Sequence, residues 1–568
     1  MKIYLKLIIV LFISGCTVAP KPDDKVITLA DKYYERYLAT FPETAYFVDI
    51  TLSRHDQISS NIPGDLKIWE NFEDSLYSEI KKISEPSLKE KKSRVAYWLL
   101  KEELESSIDM RVCKRNLWNV DHLNGWQLTW SQLAEFQPVG TDELRKQALD
   151  RWNKLPTIIS TEIQNLRTGA SKGYTMPKEI VQLVIDQFQV LLAYKVEESP
   201  YYSPAKRDSN SLFKKQWADL LTTKVFPAMT SYQVFLKNDY LPKARTNISI
   251  LANTNGNECY LACIRKRTTT TKTGEEIFEL GQSIVNTNKK TVEKLGGELY
   301  GISDFTEIIK HVEKDSTDYF KTSDDIMSFN TALLEDARKG CKKWFSLLPS
   351  SDVSIKAYEP YESGNGAYEA ATGGKPAYYR INLNNPETQK KSQNQKLTFH
   401  EAYPGHHLQI GIQKDLKDLH PISKFIEFGS YVEGWARYSE QLAEEMNLYK
   451  TKPALISRRA WPSRGMVVDP GLHVKNWTKE EAIAFMMESG ITEHDALNFY
   501  YRIIVWPAQL TSYDVGGEEI KALRTLSKER LGKEFDIKEF HKIILENGSI
   551  PLGALRNRVT EWLDMKSK

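Results

Sequence analysis

The chain is 568 residues long, and its 77 Lys and Arg nearly balance its 75 Asp and Glu, giving a formal net charge of +2 at pH 7. That length supplies ample material for a buried core but constrains domain number only softly. The even balance lacks the basic excess with which nucleic-acid binders neutralise phosphates, so the reading is no nucleic-acid partner.

In chain order, Met1 to Lys6 is a charged start, Leu7 to Ile13 a short apolar run and Ser14-Gly15-Cys16 a small-residue end. This is the layout of an export signal, and the apolar run is too short to span a bilayer. Ile13-Ser14-Gly15-Cys16 resembles a bacterial lipobox, which implies cleavage before Cys16, acylation of its thiol and a lipid-anchored protein of the cell envelope. Thr17 after that cysteine resembles the outer-membrane sorting pattern, with the protein facing the periplasm. The expected organisation is a signal over 1–15, a polar tether over 16–25 and a single helical domain over 26–568.

Helical spacing starts at Val26 and recurs over 66–83, 88–110, 142–169, 177–197, 211–241, 273–294, 303–314 and 325–346. Ile264 to Lys272, with Arg265, Lys266 and Arg267, is a small basic patch that reads as a solvated loop. Lys375 to Leu383 alternates with period two and reads as a strand, after which 386–396 is a polar loop. Four cysteines remain beyond Cys16, namely Cys113, Cys259, Cys263 and Cys341, and three pairings are open to them.

Chemistry concentrates in His400-Glu401-Ala402-Tyr403-Pro404-Gly405-His406-His407, which holds three of the ten histidines. Imidazoles with an adjacent carboxylate are the donors of a catalytic zinc, and Glu401 is placed to take a proton from an attacking water. In an unbroken helix His406 would lie about 240° round from His400, and His407 about 10 Å further along. Pro404-Gly405 supplies the break that returns one of them to the metal. A two-residue excursion makes His406 the ligand, the first choice, and a three-residue excursion makes it His407. Downstream, Glu433, Arg437 and Glu440 share one helical face over Ser430 to Glu444.

Phe399 to Gln409 resembles the signature of the DUF885 family of uncharacterised bacterial proteins, which is itself similar to helical zinc metallopeptidases of the gluzincin type. Val432 to Glu440, Val467 to His473, Trp506 to Tyr513 and Ile550 to Gly553 carry the same resemblance. It implies a mostly α, large metallopeptidase-like fold with a central cleft and a small edge β-sheet, the zinc-binding core lying at about 375–515. It implies Glu433 as the third zinc ligand, and Glu440 as the group that holds a ligand imidazole through its other nitrogen. His473 or Tyr513 would stabilise an oxyanion. An edge strand carrying Tyr378 and Tyr379, together with Arg437, would bind substrate. The family pattern has glycine where Ala508 stands here.

The resulting expectation is a membrane-tethered zinc hydrolase acting on a peptide or related amide. Two alternatives stand beside it: a non-catalytic lipoprotein braced by metal, with both His406 and His407 coordinated, and an envelope scaffold without metal.

Overall fold

The structure, a computed structural model, describes residues 21–567 except 359–363, 365 and 373. The export signal, the lipobox and Cys16 lie outside the described residues. Among these residues the fold is mostly helical, with one three-stranded sheet and no helix long and apolar enough to cross a membrane. One apolar core runs from Val26 in the first helix to Leu563 in the last, and a satellite cluster forms around Val292, Ile308 and Ile456.

Most helices lie where the periodicity places them, and the differences have local causes. The first begins at Pro22, inside the expected tether, because a proline in the first turn gives up only an amide that would be unbonded anyway. The 142–169 stretch is two helices, Asp142–Trp152 and Leu155–Ser171, divided just ahead of Pro156, which cannot donate to a continuing helix. Ser211 to Tyr240 runs on as expected but widens into π turns at Leu221–Val225 and Leu236–Tyr240, ahead of Pro227 and Pro242. The 386–396 loop is shorter than expected, since a helix starts at Lys391.

Two other corrections bear on function. The basic patch is not a loop: Arg265, Lys266 and Arg267 form the last turn of a helix over Gly256–Thr268. Its charge is largely matched, with Arg265 bonded to Glu102 and Glu105 and Lys266 to Glu103 on the Lys91–Met110 helix. Likewise Asp469-Pro470-Gly471, whose Asp, Pro and Gly would read as a turn, lies within the Arg464–His473 helix.

The sheet has the order β1-β3-β2, with β1 Val353–Ala357 parallel and β2 Gly366–Glu369 antiparallel to β3 Ala377–Ile381. The strand expected at the edge, β3, is therefore central, and neither side of its backbone is open to a substrate. Tyr379 is fully buried, its hydroxyl 3.5 Å from Asn330 Oδ1, while Tyr378 faces the other way beneath Lys356. Asn330 also takes a hydrogen bond from Thr398 and gives one to Asn394, which ties the sheet and the Ser323–Trp344 helix to the Lys391–Glu401 helix that carries His400.

The Gly429–Glu445 helix, which carries Glu433, packs against the Thr511–Leu531 helix with almost no space between backbones. A Cβ on Gly516 would lie 1.6 Å from Ser430 O, and one on Gly434 would lie 2.5 Å from Gly516 C. Gly434 beside Glu433 is thus a packing requirement, and it brings Tyr513 and Asp514 to the face that holds Glu433 and Arg437.

Of the cysteines, Cys113 and Cys259 form a disulfide, while Cys263 and Cys341 are buried thiols. The bridge spans a sequence separation of 146 residues and ties the end of the Lys91–Met110 helix to the Gly256–Thr268 helix. Closing so long a loop restricts the unfolded chain, so replacing both cysteines by alanine is expected to lower stability by about 2–4 kcal/mol, read as a lower urea midpoint.

Candidate metal centre

The Lys391–Glu401 helix stops at Glu401, and the chain restarts as the His406–Asp415 helix after a four-residue excursion. Gly405 is required there, since its Cβ would lie 1.8 Å from His400 O. Pro404 O accepts from Trp435 Nε1 at 2.9 Å and from Ser439 Oγ at 3.1 Å, so the Glu433 helix holds the excursion from the side. Both histidine-bearing helices are thereby fixed against the third.

The excursion brings His406, not His407, back to His400. Glu433 Oε2 is 3.4 Å from His400 Nε2 and 3.4 Å from His406 Nε2, and the three ligating atoms lie within 4.8 Å of one another. Donors at about 2.0–2.1 Å from a tetrahedral ion are about 3.3–3.4 Å apart, so the two measured edges fit one small divalent cation. Glu433 Oε2 and His406 Nδ1 are also buried without a hydrogen-bond partner.

His400 Nδ1 lies 2.9 Å from Glu440 Oε1, so its proton sits on that nitrogen and Nε2 faces Glu433. Burial disfavours an imidazolium here, yet the adjacent Glu433 and Glu440 carboxylates outweigh it and raise the His400 pKa to about 10. Burial likewise works against the Glu433 carboxylate, but the two imidazoles hold it well below the usual range. Glu440 is brought down to about 2 against its own burial, chiefly by Arg437 and His400.

Arg437 does not reach a substrate position. It is buried, with Nη1 2.8 and 2.9 Å from the two Glu440 oxygens and Nε 3.1 Å from Asp514 Oδ1, so it braces the carboxylate that holds His400. His407 is drawn elsewhere too, with Nδ1 3.3 Å from the Tyr368 hydroxyl and Nε2 3.2 Å from that of Tyr403. Burial lowers its pKa to about 4, which keeps it neutral.

Glu401 ends its helix, and its Oε2 accepts from Tyr368 N at 2.9 Å. The edge strand at this centre is therefore β2 rather than β3. Tyr513 does reach the centre, its ring stacked 6.2 Å from that of His400. Its hydroxyl accepts from Arg502 Nη2 at 3.1 Å, and burial first, then Glu433, raises its pKa to about 12 against Arg502. It remains a neutral donor.

His473 is not at the centre. Its Nδ1 accepts from Ile250 N at 3.3 Å and its Nε2 faces Ile503 O at 3.2 Å, so both ring nitrogens serve the backbone. Nearby, the Asp469 carboxylate accepts from Tyr260 and from Ala508 N, and it holds Ala508 at φ 64°, a left-handed conformation that glycine adopts more easily.

The sequence reading passed over Arg502 and Tyr368. Arg502 lies four residues before Trp506, and its guanidinium sits 5.7 Å from the Trp506 ring. That Arg/aromatic spacing was a usable signal. Tyr368 had none, since only the sheet's register turns its amide to Glu401.

The profile of the family described as "Bacterial protein of unknown function (DUF885)" matches residues 42–559. The chain belongs to the DUF885 family. The crystal structure of "the putative lipoprotein from Colwellia psychrerythraea" is similar to this DUF885 chain, with TM-score 0.86 and 22% identity, covering 96% of this chain and all of that one. "A putative lipoprotein of unknown function from Shewanella oneidensis" superposes with TM-score 0.78 and 20% identity, covering 94% and 99% of the two chains. At such identities the likeness establishes the shared fold. No curated protein matches the chain.

The placement of His473 has a testable consequence for stability. Burial lowers its folded pKa to about 4 from the ordinary 6.5, so between those values the unfolded state binds the extra proton and stability falls as pH falls. His473→Gln is expected to reduce the slope of that part of the urea-midpoint profile, and an unchanged slope would contradict the buried, neutral placement of this imidazole.

Proposed function

We propose that this DUF885 chain is a membrane-tethered zinc hydrolase of peptide or related amide bonds. The observation that carries the reading is the convergence of His400 Nε2, His406 Nε2 and Glu433 Oε2 at spacings that suit one ion. The arrangement of a His-Glu pair, a returning histidine and a glutamate from a later helix supports the gluzincin resemblance. A zinc ion held by these three residues would supply Lewis acidity and a water of lowered pKa.

The chain's own groups provide the rest. Glu440 fixes the His400 tautomer, with Arg437 behind it. Tyr368 N restrains one Glu401 oxygen, which leaves the other to take a proton from the attacking water. Glu401 then passes that proton to the amine nitrogen as the C–N bond breaks, giving one carboxylic acid and one amine. Tyr513, whose oxygen already accepts from Arg502, keeps its own proton to donate to a developing oxyanion. The outer edge of β2 offers backbone groups to an extended peptide.

Two features weigh against the alternatives. His407 is engaged by two tyrosines, so among the described residues three protein donors converge rather than the four of a closed structural site. A metal-free scaffold would have no use for a buried carboxylate oxygen that lacks a hydrogen-bond partner. The tether rests on the lipobox ending at Cys16 and is supported by similar structures described as putative lipoproteins.

Digestion of a peptide library by the purified protein tests the reading. Glu401→Gln is expected to retain one zinc per chain and to lose about 10²- to 10⁴-fold in cleavage rate. Equal rates for the two proteins would remove Glu401 as the base.

A further inference from the structure

A cavity of about 570 Å³ opens between the first helices, the Gly256–Thr268 helix and Trp506-Pro507. Its walls are aromatic, with Tyr33, Tyr37, Trp69, Trp118 and Trp506, and its polar groups are unevenly paired.

Each carboxylate on the wall already has partners. Glu73 accepts from Ser107 at 2.7 Å and from Arg111 at 2.9 Å, and Glu103 is bonded to Lys266 at 2.7 Å. Asp121 accepts from Leu123 N and Asn124 N through one oxygen and from Trp506 Nε1 through the other. The guanidinium groups do not share this. Arg267 has no hydrogen-bond or ion-pair partner among the described residues. The Arg115 guanidinium lies over the Trp118 ring at 4.2 Å and comes no nearer than 3.9 Å to Asp121. Burial disfavours the charge on both arginines. Two poorly compensated cations in a recessed aromatic chamber are a binding site for an anion, and a guanidinium fork matches a carboxylate.

The chamber also adjoins the metal centre. The Arg502 guanidinium lies 5.7 Å from the ring of Trp506 in its wall and 5.9 Å from the Tyr513 ring, which stacks on His400. A ligand anchored at Arg267 has to extend past Trp506 and Arg502 to present a bond at His400 and Glu401.

We infer that this chamber binds the carboxylate-bearing end of the substrate, with Arg267 and Arg115 on the carboxylate and the aromatic walls around an apolar side chain. The substrate class is then a peptide or related amide that bears a free carboxylate at the end of the chain, and that end is what leaves. This rests on the hydrolase reading for the reaction, though the binding step requires neither metal nor turnover.

The test is calorimetric titration of the metal-free full-length protein carrying Glu401→Gln with three probes: N-acetyl-dialanyl-phenylalanine as the free acid, the same compound as its C-terminal amide, and an amide in which the second alanine is replaced by glutamate. The free acid is expected to bind roughly 10- to 100-fold more tightly than the simple amide, and Arg267→Gln should abolish that preference while Arg267→Lys keeps part of it. Stronger binding of the glutamate amide than of the free acid would assign the chamber to an acidic side chain and overturn the chain-end assignment. Equal binding of acid and amide, binding that survives Arg267→Gln, or no binding of any probe would overturn the proposal. Because no cleavage is measured, a protein that binds the acid but hydrolyses nothing separates a failure of the hydrolase reading from a failure of this one.

Discussion

A carboxylate buried between two imidazoles must be neutralised by something, and the choice is between a proton and a metal ion. Without an ion, Glu433 draws a proton onto His400, whose pKa rises to about 10 under the joint pull of Glu433 and Glu440. A divalent ion would replace that proton and engage His406 as well, whose other ring nitrogen has no partner. The placement of the surrounding helices follows from the need to bring these three groups within reach and to keep water from separating them.

Three devices meet that need. The break at Pro404-Gly405 turns a helical sequence back on itself, and the Glu433 helix holds the returned segment through Trp435 and Ser439. Gly434 and Gly516 let two helices approach backbone to backbone, which sets Tyr513 and Asp514 beside Glu433. Arg437 then ties Glu440 to Asp514, so the group orienting His400 is itself held by a neutralised, buried ion network. Every member of this network is locked by another helix, which is how a mostly helical protein can hold side chains within a few tenths of an ångström.

Much of the fold was legible because amphipathic periodicity is local. The Ser323–Trp344 helix and most of the Gly274–Tyr300 helix could be read from spacing alone. Elements decided by distant partners were not. Asp469-Pro470-Gly471 has turn composition yet stays helical, with the Asp469 carboxylate bonded to Tyr260 and Ala508 N from two other segments. The strand at β3 was recognised from alternation, but its central position depends on β1 and β2, whose pairing no local pattern encodes. The same division holds at the centre. His400, Glu401 and His406 lie in one motif with readable chemistry, and Glu433, Glu440 and Tyr513 join them as the family resemblance implies. His473 and Arg437 carry the same kinds of side chain, but groups from other segments, Ile250 and Ile503 for the one and Asp514 for the other, help to hold them, and only the packing assigns them to bracing. Arg267 shows the reverse, since a basic patch that reads as solvated becomes half-buried once Arg265 and Lys266 are bound by the neighbouring helix.

The most direct measurement of the central claim is an anomalous difference map at the zinc absorption edge from crystals of the protein equilibrated with zinc. The account requires one strong peak bonded to His400 Nε2, His406 Nε2 and Glu433, with His407 still facing Tyr368 and Tyr403. The absence of a peak among those three residues at saturating zinc, or a peak that also takes His407 as a ligand, would contradict it.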